Sequence, residues 1–248
     1  MKLIDRIKYT WNSIMGEITV PEYILIWIVR AVVIYGGIRL KDPSQIVMYW
    51  VNTFALFALT LIRFIAPKKS FLARLDFRIQ HIVGFFELLG TFFGKYIDAY
   101  SYIGKYDRIL HFLSGPGAVI AGYYIFKAFA SKDGKKKFYS PALATYSSFS
   151  FSFVVITIWE IVEFSGDYLF GSICQSWYYA PPENDIVFRI FGKVADSGQF
   201  PLWDTMMDMI DATFGTIISG IVLLTVLTLW KKHILNIQAK KPELAEAL

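Results

Sequence analysis

Cysteine is almost missing. Cys174 stands alone in 248 residues, so no disulfide closes within the chain. Histidine numbers three, and charged residues make up only 18%. No G-x-S-x-G elbow is present, and no histidine lies within local reach of Ser147, Ser148, Ser150 or Ser152. Those serines, with Gly215, Ser219 and Gly220, read as close-packing positions rather than nucleophiles. Internal repeats and low-complexity segments are lacking. The basic N-terminus has no following apolar h-region and no small-residue cleavage site, which excludes a cleavable signal peptide and leaves the first span as the insertion signal. Net charge is +5, but the positives cluster between apolar runs, so they report topology and not nucleic-acid binding.

What the chain has in excess is apolar residues: 55% hydrophobic, 18% aromatic, with a mean hydropathy of +0.45. A soluble domain of this length is less apolar. Several runs approach the roughly 20 residues that cross a bilayer. The expected fold is all-α: one polytopic membrane bundle over residues 1–248, with about six transmembrane helices. An interfacial amphipathic helix is expected within 1–20, where Leu3, Ile4, Ile7, Trp11, Ile14 and Met15 share a face beside Lys2, Arg6 and Lys8. It lies on an anionic membrane surface or packs on the domain's own underside. Spans are expected over 22–38, 46–65, 79–97, 109–130, 141–164 and 208–230. Pro21-Glu22 and Ser140-Pro141 suit helix starts, and Ser114-Gly115-Pro116-Gly117 suits a kink.

Loop charge sets the orientation. Lys2, Arg6 and Lys8 precede span one, and Lys68, Lys69, Arg74 and Arg78 separate spans two and three. Lys132, Lys135, Lys136 and Lys137 separate spans four and five, and Lys231, Lys232, Lys240 and Lys241 follow span six. With six spans all four basic segments fall on one side, which makes both termini cytoplasmic. The long loop over 165–207, with Trp177, Tyr178, Tyr179, Pro181, Pro182, Phe188, Phe191 and Phe200, is then an aromatic cap over the outer face.

Polar groups gather at the outer ends of three spans. Asp204, Asp208 and Asp211, at i, i+4 and i+7, occupy a narrow wedge of one helix face. Asp107 and His111 lie four apart at the start of span four, and Glu160 and Glu163 three apart near the end of span five; Asp167 extends that face if the helix passes Gly166. An Asp at the centre of a spanning helix costs about 3 kcal/mol, so these acids need compensation. A bound divalent cation, a basic partner or a water-filled cavity would supply it. Oxygen-rich ligands with one imidazole suit Zn, Mn, Mg or Fe better than a thiolate-preferring metal. His111, Glu160, Glu163, Asp204 and Asp208 are the candidate ligands. Asp107, Glu160, Glu163, Asp204 and Asp208 are the candidate catalytic carboxylates, any one left free of metal acting as general base. The plainer alternatives remain: Asp107 and Asp204 as helix caps, Arg108 neutralising one acid, and His111 as a core histidine.

The motifs Asp107-Arg108-x-x-His111-Phe112, Trp159-Glu160-x-x-Glu163 and Trp203-Asp204-Thr205-x-x-Asp208-Met209 resemble those of the YjdF-like family of bacterial inner-membrane proteins. More loosely the order resembles the VanZ-like membrane proteins, linked to resistance to glycopeptide antibiotics of the teicoplanin type. Departures from that second pattern are Arg108 in place of Lys, Glu163 where Gln is common, and Asp211 near the expected Asn. The resemblance covers about Tyr106 to Gly220. It implies a multi-pass protein of the bacterial plasma membrane and points to the same residues, and it implies no particular reaction.

Arg30 and Glu87 each fall about eight residues inside a span that starts on the cytoplasmic side, and an ion pair between them is expected. Arg63 and Lys127, near inner span ends, are expected to snorkel. Three functions fit: a metal-assisted hydrolase or transferase acting on a lipid or cell-envelope intermediate, an ion- or proton-coupled transporter, and a resistance factor binding amphiphilic molecules under the cap. Membrane lipids are the expected partners; oligomeric state is open. A reporter fused after Lys136 should score as cytoplasmic and one near Pro182 as external; cytoplasmic scoring at Pro182 would overturn the siting of the acids.

Overall fold

The computed structural model describes residues 3–130, 139–175 and 200–240. Every regular element among them is helical. The order is α1 (Leu3–Met15), α2 (Val20–Arg39), α3 (Pro43–Ile65), a 3₁₀ turn (Leu72–Arg74), α4 (Ile79–Phe86), a π-helix (Glu87–Tyr96), α5 (Ala99–Tyr102), α6 (Tyr106–Ala130), α7 (Pro141–Phe170) and α8 (Phe200–Lys240). Five helices, α2, α3, α6, α7 and α8, are long and apolar enough to cross a membrane. The chain is a multi-pass membrane helical bundle.

The span expected over 79–97 is not a single α-helix. α4 runs directly into the π-helix, Phe86 and Glu87 both keeping helical backbone angles. This α–π rod follows α6 along its length in the opposite sense. At one end Ile79 and Ile125 pack on the same apolar cluster, which contains Phe77 and Ala128. At the other the Tyr106 hydroxyl donates to the Leu89 carbonyl at 3.0 Å. The cluster also takes Ile26 from the start of α2 and Leu59 from near the end of α3, so these helix ends meet at one end of the bundle.

Local chemistry sets the helix starts. Thr19 and Glu22 form a reciprocal capping box ahead of α2. Asp42 accepts from the Ser44 amide ahead of α3. Ser140 occupies the cap position of α7, but its side chain makes no capping bond. α7 continues six residues past the expected span and stops at Gly171, whose φ of 65° is the left-handed cap that glycine tolerates. α8 begins eight residues before the expected one. Helix therefore replaces both flanks of the expected cap loop, and its aromatic centre from Trp177 to Phe191 lies outside the described residues, as do Lys132, Lys135, Lys136 and Lys137.

Two expectations about arginine are corrected. Arg30 makes no ion pair with Glu87. Its guanidinium donates to the Leu56 carbonyl at 3.0 and 2.8 Å and to the Thr60 hydroxyl at 2.8 Å, and it stacks 4.7 Å from the rings of Trp27 and Phe57. Glu87 instead accepts from Thr91 at 2.6 Å. Equal depth places two residues on one level but says nothing of the direction each faces. Arg63 does not snorkel: it is 1% exposed and holds Glu17 at 2.6 Å, with Ser13 and the Leu75 carbonyl as further partners. Lys127 rests over the rings of Tyr123 and Tyr124. α1 packs on the domain's own underside. Arg6 ties it to the Phe64 and Ala66 carbonyls, while Leu3, Ile4, Ile7 and Trp11 stay exposed on its apolar face.

α6, α7 and α8 pack together most intimately. α6 runs through Pro116 as one helix. Proline has no N–H to return to the Phe112 carbonyl, and the backbone of α8 at Gly215 lies over that carbonyl. A Cβ at Gly115 would meet the Thr216 nitrogen at 2.5 Å. Ser152 of α7 completes the junction, its hydroxyl 2.7 Å from that of Thr216. This is small-residue packing of the kind that membrane helices use. Gly215→Val should lower the unfolding temperature in detergent, an overpacking cost of about 1–3 kcal/mol. Gly104, with nothing within 4 Å of a built Cβ, is the control for substitution to Ala. Equal melting of Gly215→Val and wild type would contradict the close approach.

Candidate functional site

Three helices supply the site. α6 contributes Asp107 and His111 from its first turns, α7 contributes Glu160 and Glu163 from its last third, and α8 contributes Asp204 and Asp208 from its start. The Gly115–Gly215 contact lies one turn beyond His111 and draws α6 against α8, which brings Asp208 to the imidazole.

The imidazole stands among carboxylates. His111 Nε2 is 3.7 Å from Asp107 Oδ1 and 3.7 Å from Asp208 Oδ2, and Nδ1 is 3.7 Å from Glu160 Oε1. His111, Glu160, Glu163 and Asp208 are all buried, and each offers one ligand atom within 4.8 Å of the others. Two donors bound at about 2.0–2.2 Å can stand at most about 4.4 Å apart, so four ligand atoms within 4.8 Å of one another are near the size of one ion's ligand set, the imidazole giving one of its two nitrogens. Asp107, Asp204 and Asp208 form a second such group, and Asp208 belongs to both. Neither carboxylate oxygen of Glu160, nor either of Asp208, has a well-formed hydrogen bond within the protein. For Asp208, 1% exposed, that is a costly condition unless something binds it.

Two acids on the expected faces do not join the cluster. Asp211 is held by Arg108, whose Nε and Nη2 reach its two oxygens at 2.6 and 3.0 Å. Asp167 does lie on a continued α7, but its oxygens accept from the Ser172 hydroxyl and the Cys174 and Gln175 amides at 2.7, 2.7 and 2.8 Å. It fastens the turn after α7. Trp159 donates to Glu163 at 2.8 Å and so orients one of the candidate ligands.

A cavity of about 380 Å³ reaches the cluster from within the bundle. Asp107, His111, Glu163 and Lys95 line one end, and Ile79, Ile82 and Ile125 line the other. Residues 21–229 match the family described as predicted membrane protein (DUF2238). The chain belongs to the DUF2238 family. Comparison with curated proteins and with solved structures finds no match. The family match covers every helix of the site and of the cavity wall.

Sequence reasoning missed Lys95. A lysine near a span end reads as a snorkelling residue, and only the turn of the π-helix shows that it faces the same cavity as His111. The partnered and unpartnered acids should respond in opposite directions to neutralisation. In the presence of a chelator, Asp211→Asn should destabilise the DUF2238 protein by about 1.5–3 kcal/mol, because it breaks a bidentate charged hydrogen bond. Glu160→Gln should raise the unfolding temperature, because it removes a buried acid that has no well-formed hydrogen bond within the protein. A fall of the same size for both variants would show that Glu160 is compensated within the protein.

Proposed function

We propose that this DUF2238 protein is a membrane-embedded hydrolase or transferase that uses a divalent metal on an amphiphilic substrate. The observation that carries the reading is the buried His111–Glu160–Glu163–Asp208 group, in which Glu160 and Asp208 have no well-formed hydrogen bond within the protein. One imidazole with several carboxylates suits Zn, Mn, Mg or Fe. Such an ion, when bound, polarises a phosphoryl or carbonyl oxygen and lowers the pKa of water. The chain's own groups would divide the remaining work. His111, Glu160, Glu163 and Asp208 hold the ion, with Trp159 fixing the rotamer of Glu163. Asp107 and Asp204, half-buried and beside Asp208, stand where a general base can take the proton of the attacking water.

The loop-charge pattern supports placing the site at the outer leaflet, with both termini cytoplasmic. The motifs around Asp107, Glu160 and Asp204 support assignment with YjdF-like proteins of the bacterial plasma membrane. Membrane lipids are the partners in this reading, and its substrate is a lipid or a cell-envelope intermediate. An ion- or proton-coupled transporter is the second reading. It is favoured by the polar trio Glu87, Thr91 and Asn52 further along the same cavity wall. A resistance factor that binds amphiphiles uses the same cavity without a reaction.

Metal analysis tests the proposal. Wild type purified in the presence of Zn, Mn, Mg or Fe should retain at least one ion per chain. His111→Ala and Asp208→Asn should each lose it, while Asp211→Asn keeps it. Wild type that emerges metal-free from all four preparations would overturn the reading.

A further inference from the structure

The cavity is divided by polarity. Its polar end holds His111, Glu163, Asp107 and Lys95; the opposite half is walled by residues such as Ile82, Phe86, Ala121 and Val155. Ile79 and Ile125, which line that half, rest on the apolar cluster of Ile26, Leu59, Phe77 and Ala128. The apolar half therefore has a hydrocarbon floor. Glu87, Thr91 and Asn52 line the wall between, but they are hydrogen-bonded to one another: Thr91 donates to Glu87 at 2.6 Å and Asn52 to Thr91 at 3.4 Å. A chamber that is polar at one end and apolar to its floor fits an amphiphile lying lengthwise.

Size and charge narrow the class. Ile79 and Lys95 are sixteen positions apart on one rod, about 24 Å at α-helical rise and less through the π-helix. The volume, about 380 Å³, is near the lower limit of small-molecule pockets, roughly 300–1,000 Å³. It suits one hydrocarbon chain. Lys95 is the cation at the polar end. Its Nζ lies 3.4 Å from Cys174 Sγ, and no carboxylate among the described residues is within ion-pairing distance of it. The acids of the cluster would repel an anion by themselves; a divalent ion on them and Lys95 would supply the two cationic contacts that an anionic headgroup needs.

We propose that the ligand is a single-chain lipid phosphate, its phosphate between Lys95 and the His111 cluster and its chain in the cavity between α3, α4, α6 and α7. The placement rests on the metal-site reading for the charge of the polar end. The phosphate is a headgroup carried by its chain, not free phosphate.

The test uses the full chain in an uncharged maltoside detergent, with radiolabelled hexadecyl phosphate as probe and hexadecanol and inorganic phosphate beside it. Wild type should bind one hexadecyl phosphate per chain saturably. Lys95→Gln should weaken that binding about tenfold and leave hexadecanol binding unchanged. Ala121→Trp, which fills the chamber, should weaken both alkyl probes about tenfold and leave metal content unchanged. Ala55→Phe, a smaller change on the opposite wall, guards against a misfolded tryptophan variant. Wild-type binding by both filled variants would overturn the proposal. So would an equal loss of phosphate and alcohol binding in Lys95→Gln, or competition by inorganic phosphate as strong as by hexadecyl phosphate. Metal bound normally with no saturable hexadecyl phosphate sinks this inference and spares the metal reading. Lys95- and Ala121-dependent binding by a protein that holds no metal does the reverse.

Discussion

A carboxylate inside a membrane bundle has to be compensated, and the acids of this chain differ chiefly in how. Asp211 is neutralised by a bidentate Arg108. Asp167 collects two backbone amides and a hydroxyl. Glu87 takes the Thr91 hydroxyl. Glu160 and Asp208, as buried as any of them, take nothing from the protein with good geometry. The fold can satisfy an acid within the bundle and does so three times, so the exceptions are not a general failure of packing. They mark the group whose ligand atoms could hold a metal ion.

That group depends on how closely α6 and α8 approach. Side chains as short as Asp and His meet across a helix interface only when the backbones are nearly in contact. Gly115, Gly215 and Thr216 provide the contact, and Pro116 leaves the Phe112 carbonyl free to face it. The glycines and the proline are thus part of the site although none touches a ligand. A methyl group at Gly215 acts on the imidazole–carboxylate spacing as well as on stability.

Much of this was legible in the sequence, because membrane topology is written in features that need no tertiary context. Apolar run length marks the spans, and the periodicity of 3.6 placed Asp107 with His111 and Glu160 with Glu163 on shared faces. The same periodicity put Asp211 with Asp208, yet Arg108 draws it away: a face is shared by positions, while long side chains choose their own partners. Direction around the axis was the missing information. It misled the pairing of Arg30 with Glu87, whose depth matched, and the reading of Arg63, which turned inward to Glu17. The π-helix was invisible to any pattern built on the α-helical period, and Lys95 stayed hidden with it.

The two ends of the bundle are built differently, and this bears on transport. At the end where α2 and α4 begin, Arg63 clasps Glu17, and Glu17 also accepts the Phe77 amide at 2.6 Å. Arg6 ties α1 to the chain just past α3, and Arg74 donates to the Ala128 carbonyl at 3.1 Å. Beneath the clasp lies the apolar cluster of Ile14, Ile26, Leu59 and Phe77. An ion or proton passing right through would have to cross hydrocarbon and then break a buried ion pair, each step unfavourable by several kcal/mol. At the opposite end Arg108 clasps Asp211 between α6 and α8, and beside that pair acids and Lys95 face a cavity. The polar trio at Glu87 takes a polar path only part of the way, because beyond it the cavity wall is apolar down to its floor. Among the described residues, apolar packing and the Arg63–Glu17 pair close one end, and the polar end of the cavity lies toward the other.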